Sequence, residues 1–220
     1  MKRGDIMVCL KQDAVVTVIP TKTFGKEYDL VKVETTFQMD QPFPEDEVMF
    51  VPGKEVIPDA ILKLMTDNQF DFGPKLSRDV VSKIGDFSQE VEDPNRRDET
   101  RKDALLGYLI TYMDQIKLMP IGGNNYHISY EFRLYPDQDG NFEFRTTLPF
   151  AGLGEASNID IQLIMVLPTG VTFDPIKTKG IAVNGTELQE QPFVTEANRH
   201  ILSFYHKADP DFFVTYKYNA

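Results

Sequence analysis

Few residues in this chain have the types and spacing that chemistry needs. Asp137-Gln138-Asp139-Gly140-Asn141 places three hard oxygen donors, on Asp137, Asp139 and Asn141, close together, as a calcium loop does. The run lacks the bidentate acid that closes an EF-hand loop about twelve positions on, and it joins two runs of β periodicity. Hairpin turns use the same residue types for conformational reasons, so a turn is expected here and no metal. Cys9 is the only cysteine, which excludes an intramolecular disulfide framework and a Cys-rich zinc site. It lies in an apolar run, where a buried, inert thiol is expected. His200 and His206 share a strand parity but would stand ~20 Å apart on an extended chain, too far to share an ion. The only other histidine is His127.

No serine sits in a Gly-x-Ser-x-Gly elbow. Gly53-Lys54 lacks the upstream glycine and following hydroxyl of a phosphate loop, and Gly152-Leu153-Gly154 lacks a third glycine and a helix. No pair stands out among the 34 acids as a glycosidase dyad. Asn184-Gly185-Thr186 has the letters of a glycosylation acceptor and reads better as a turn. Arg3-Gly4-Asp5 reads as a chance match beside the first strand. No catalytic residue and no cofactor is expected.

The bulk properties narrow the classes further. The 220 residues carry 23 basic and 34 acidic side chains, a formal charge of −11. That balance argues against binding duplex nucleic acid, where affinity comes from neutralised phosphates. Apolar stretches such as Ala104 to Met113 fall short of the ~20 residues that cross a bilayer. Met1-Lys2-Arg3 is followed by Gly4-Asp5 rather than an apolar run, so no secretory signal is expected, and the location expected is cytoplasm or virion.

The elements that would carry a surface are clearer than any site. Asp5 to Leu10 and Ala14 to Ile19 read as short strands separated by Lys11-Gln12-Asp13, and Tyr28 to Phe37 as a half-buried strand. Gln41 to Pro58 carries four prolines and reads as an extended loop or edge segment. Helices are expected near 59–70, 77–84 and 96–117. The last has Asn95 as N-cap and an apolar sector containing Tyr108, Leu109, Tyr112 and Met113. The charged stretch from Asp86 to Asp103 reads as a solvated approach to that helix, because its signs are mixed.

From Tyr126 the period becomes two. Fifteen of the 25 Phe and Tyr lie from there to the end. Tyr126 to Leu134 and Phe142 to Thr146 flank the Asp-Gly step and predict a β-hairpin. Ile159 to Leu167 has apolar residues on both faces, which predicts burial on both sides of its C-terminal half. Further short strands are expected around Val171 to Phe173, Ile181 to Val183, His200 to His206 and Phe212 to Tyr218.

The stretch Ile159-Asp160-Ile161-Gln162-Leu163-Ile164-Met165-Val166-Leu167-Pro168-Thr169-Gly170-Val171-Thr172-Phe173 resembles the strand-Leu-Pro-x-Gly-Val-Thr-Phe segment of immunoglobulin-like sandwich modules in bacterial surface and phage structural proteins. The resemblance implies an architecture and a spacer, decorating or adhesive role, and no functional residue transfers. The chain has neither the cysteine pair nor the tryptophan of antibody domains.

The expected fold is mainly β (α+β overall): a β-rich region with two or three helices over 1–123, then an antiparallel Ig-like β-sandwich over 124–220. The expected function is a non-enzymatic structural or interaction protein, a subunit of a larger assembly such as a phage or virus particle. Its partners would be copies of itself or other subunits, with no membrane. Tyr108, Leu109, Tyr112, Met113, Pro42, Phe43 and Pro44 are the expected contacts. A carbohydrate- or ligand-binding module using Tyr130 or Tyr216, and a hydrolase with dispersed acids, are the competing expectations.

Overall fold

Alternation of apolar and polar side chains dominates the chain, and the fold it produces is mainly β. The computed structural model describes residues 7–53, 55–58, 73–85, 97–146, 160–182, 185–188, 191–194, 199–207 and 210–219. The helix expected near 59–70 lies outside them, as does the N-cap Asn95.

Strand β1 (Cys9–Ile19) is continuous where two short strands are expected. The polar interruption does not break it because Gln12 turns inward and is buried, while Lys11 and Asp13 face out and pair at 3.0 Å. A short 3-10 turn (Thr21–Phe24) leads to β2 (Asp29–Met39). Next come β3 (Val48–Pro52), β4 (Lys75–Leu76), α1 (Ser77–Gly85) and α2 (Arg97–Leu109). β5 (Met113–Lys117), β6 (Met119–Gly122), β7 (Asn125–Leu134) and β8 (Asn141–Thr146) follow. The remaining strands are β9 (Asp160–Thr169), β10 (Val171–Phe173), β11 (Lys179–Ala182), β12 (Glu187–Leu188), β13 (Gln191–Val194), β14 (Arg199–His206) and β15 (Pro210–Tyr218).

They form a seven-stranded sheet in the order β13-β14-β9-β1-β2-β7-β6, a sheet in which β15 pairs β8, β10 and β11 with β12 beyond, and a three-stranded sheet β4-β3-β5. Within the large sheet β1 runs antiparallel to β2 but parallel to β9, so strands from either side of residue 123 share one sheet. Both its edges, β6 and β13, contain a proline, which removes a donor an extra strand would need.

The first two sheets share a core. Val16, Val18, Val31, Val33, Leu163 and Met165 come from one, and Phe142, Phe144, Phe212, Val214 and Tyr216 from the other. Aromatic pairs cross between them: Phe132 stacks on Phe144 at 5.9 Å, and Phe204 meets Phe212 at 5.0 Å.

Three expectations are corrected. The helix predicted over 96–117 ends at Leu109; a 3-10 turn (Ile110–Tyr112) follows, and Met113–Lys117 is strand β5. The β-branched and aromatic run Ile110-Thr111-Tyr112 disfavours further helix, and β3 offers backbone partners from Pro52↔Met113 to Val48↔Lys117. The proline-rich segment is therefore not only loop: β3 is the middle strand of its sheet, with Pro52 at its end. The predicted hairpin of β7 with β8 is absent. The Asp-Gly turn exists, with Gly140 at φ 81°, but it sends β8 to pair with β15. There Phe142 stacks on Tyr216 at 4.9 Å, packing that a hairpin with β7 would forgo.

Candidate interaction surface

The outer face of the seven-stranded sheet divides into a polar half and an apolar half, and the register of pairing sets that division. On β2 and β7 the outward positions are Lys32, Glu34 and Thr36 beside Glu131, Ser129 and His127. Lys32 and Glu34 form an ion pair at 3.0 Å, and the Thr36 hydroxyl lies 3.4 Å from His127 Nδ1. On β1, β9 and β14 the outward positions turn aliphatic. Val15 stands beside Ile164, and Val166 stands between Thr17 and Ile201. Ile19 extends the patch toward Leu30. Val15 is 39% exposed and Ile19 37%; Ile164, Val166 and Ile201 are half-buried. Tyr205 closes the patch at one end, 59% exposed, with its hydroxyl donating to the Asp160 carboxylate at 2.8 Å. That hydrogen bond raises the Tyr205 phenol above its ordinary pKa. Of the described helices, α1 packs on α2, β3 and β4.

The local cause is sequence. Val15-Val16-Thr17-Val18-Ile19 and Leu163 to Leu167 carry apolar residues on both parities, interrupted outward only by Thr17, so pleating puts aliphatic side chains on both faces of adjacent strands. The inner set fills the core. The outer set makes a cluster of neighbouring aliphatic side chains on the solvent-facing side of the sheet, the kind of feature by which a surface meets another molecule.

A second polar arrangement is buried. The Asp29 carboxylate, fully buried at the start of β2, accepts hydrogen bonds from the hydroxyls of Tyr216 and Tyr218 at 2.8 Å each, and from the Lys22 backbone N–H at 3.0 Å. Burial, with the facing carboxylate, pushes both phenols well above their ordinary pKa. The Lys22 ammonium lies 5.4 Å from the centre of the Phe142 ring. This cluster clasps the two sheets together. Both phenol hydroxyls are spent on the carboxylate.

The expected contact residues are dispersed. Phe43 is in the core, packed edge-on against Tyr126 at 5.0 Å, and its N–H donates to the Tyr126 hydroxyl at 2.8 Å. Leu109 is buried. Tyr108 and Tyr112 remain toward solvent with their hydroxyls 3.0 Å apart, Met113 is half-buried, and Pro42 and Pro44 are exposed. Tyr216 is buried in the Asp29 clasp, and Tyr130 packs against Phe132.

In the Asp137 loop the carboxylate accepts from the N–H groups of Asp139 and Asn141 and from the Asn141 amide, and the Asn141 contacts lower its pKa. The Asp139 carbonyl accepts from Lys217 Nζ at 2.7 Å. Among the described residues no three of His, Cys, Asp and Glu gather as metal ligands would. His200 packs its ring on Phe173, on the inward parity of β14. No helix of the described residues is long and apolar enough to cross a membrane.

Comparison with known proteins gives no match, either to a family model or to a curated sequence. The sheet face itself therefore carries the functional argument. The contacts expected from sequence lie on a helix and a proline-rich loop, and this face was not among them. Its signal was present in Ile164 and Val166, which were read as buried on both sides.

Proposed function

We propose that this protein is a non-enzymatic interaction protein, a subunit of a larger assembly such as a phage or virus particle, which docks through the outer face of its seven-stranded sheet. One observation carries the reading: five aliphatic side chains on the outward parity of β1, β9 and β14 (Val15, Ile19, Ile164, Val166 and Ile201) sit side by side and are left partly exposed in the single chain. Covering Val15, Ile19, Ile164, Val166 and Ile201 would contribute roughly 1 kcal/mol for each side chain, so the patch would serve as the apolar centre of a larger contact and would not hold one alone. The immunoglobulin-like reading of the fold belongs with this proposal. It is supported by the Leu167-Pro168-Thr169-Gly170-Val171 turn, at which the chain leaves the seven-stranded sheet for the sheet of β15. Cytoplasm or a virion is the location that fits such a subunit.

The test is size-exclusion with light scattering over a range of protein concentrations. Association is expected for the wild type and its loss for Val15→Glu with Ile164→Glu, both outward positions whose replacement leaves the inner core intact. A strictly monomeric wild type, or association indifferent to the double substitution, would sink the reading.

A further inference from the structure

On the other side of the molecule the exposed face of β8, β15 and β11 forms a second, chemically different surface. It is an open groove of about 640 Å³ whose apolar lining includes Phe213, Ile181 and Ile176, the last 83% exposed. Its lining carries Arg145, Lys177 and Lys179 with one acid, Glu143, and two further acids, Asp211 and Glu187, stand at its rim. The three cations are held at the rim by surface pairs. Arg145 Nη2 lies 2.8 Å from Asp211, Lys177 lies 3.6 Å from Glu143, and Lys179 pairs with Glu187. An ammonium has three donors and a guanidinium five, so each cation keeps donors for a further carboxylate. Arg145 also lies 5.3 Å over the Phe213 ring, which orients its guanidinium.

The same chain displays a segment of matching chemistry. The turn Pro42 to Asp46 exposes Pro42, Pro44, Glu45 and Asp46, two rigid apolar rings followed by two carboxylates. Its neighbours hold it in place. Phe43 is anchored in the core, the Glu47 N–H donates to the Pro44 carbonyl at 3.1 Å, and the Arg78 guanidinium sits 3.8 Å from the Glu47 carboxylate and 5.5 Å from the Phe43 ring. Such a turn loses little freedom on docking.

We propose that the groove receives the Pro42 to Asp46 turn of a second copy of this chain. The prolines lie on the apolar lining while Glu45 and Asp46 meet Lys177 and Lys179. Two different surfaces meet in this contact, so it repeats head to tail and builds a ring or an open row, not a closed pair. It rests on the assembly reading above and names one of the contacts by which the assembly grows.

Charge exchange between copies tests it in the full-length protein, by light scattering at low and moderate salt. Lys177→Glu with Lys179→Glu, or Glu45→Lys with Asp46→Lys, is expected to weaken association about tenfold, and salt to weaken the wild type. All four positions are at the surface, and unchanged thermal melting confirms folding. Mixing the two variants in equal amounts restores association, because each reversed surface then finds its complement. If neither variant weakens association, or mixing does not restore it, while Val15→Glu with Ile164→Glu does abolish it, the head-to-tail contact is wrong and the assembly reading stands. A wild type that stays monomeric under every condition overturns both.

Discussion

Asp29 shows how much one buried group organises when its oxygens are filled by donors from distant parts of the chain. Its carboxylate is reached by Tyr216 and Tyr218, more than 180 positions later in sequence, and by a backbone N–H only seven residues away. Removing an acceptor from such a site costs more than the bonds themselves contribute, because the donors left behind stay desolvated. Asp29→Asn is therefore expected to destabilise the protein by about 2–3 kcal/mol in urea unfolding. The phenols also impose a pH dependence. Both are held above the ordinary value of 10.0, so the folded state keeps protons that the unfolded chain gives up first. Stability should be complete below pH 10 and fall as pH rises above it. Tyr216→Phe with Tyr218→Phe should lower stability at neutral pH and flatten that alkaline slope. An unfolding midpoint that falls just as steeply above pH 10 in the double variant would place the sensitivity elsewhere.

Elements are where sequence pattern and tertiary context compete. Gly140 takes a positive φ of 81°, the conformation the Asp-Gly step predicts, and the Asp137 carboxylate closes the turn by accepting from three donors. Gly140→Val should cost about 1 kcal/mol or more, since a β-branched residue strains in the left-handed region. Added calcium should leave the melting temperature unchanged, because the carboxylate is already committed to the turn; a calcium-dependent rise would reopen the metal reading. The turn was thus legible and its consequence was not. Local residues specify a reversal of the chain, but the strand that β8 joins is chosen by where Phe142 and Phe144 find a core. The same limit explains β5. The apolar spacing of Tyr112, Met113 and Ile116 suits a helix, and the edge of β3, far away in sequence, decides for strand. By contrast β7 alternates cleanly enough that period alone located it, while β2, β9 and β15 were legible as apolar runs between turn residues.

At the scale of the whole molecule, the parallel pairing of β1 with β9 joins the start of the chain to its second half, and no local pattern encodes it. Side-chain period says which face of a strand is buried and is silent about its neighbours, which is why the change of period at Tyr126 suggested a boundary near residue 123. The order β9-β1-β2-β7 sets two strands from before that boundary between two from after it, and the Asp29 clasp joins them again through the shared core. Residues 124–220 on their own would leave the β1-facing edge of β9 unpaired, strip Tyr216 and Tyr218 of their acceptor, and expose Leu163 and Met165 where Val16 and Ala14 now pack. Unpaired apolar edges aggregate. Expressed alone, that half should show no cooperative melting transition, whereas the two halves produced together should recover one as a noncovalent complex. Circular dichroism and light scattering on each half and on the pair decide it. A 124–220 fragment that stays monomeric and melts cooperatively would mean that the interleaved sheet is not what stabilises it.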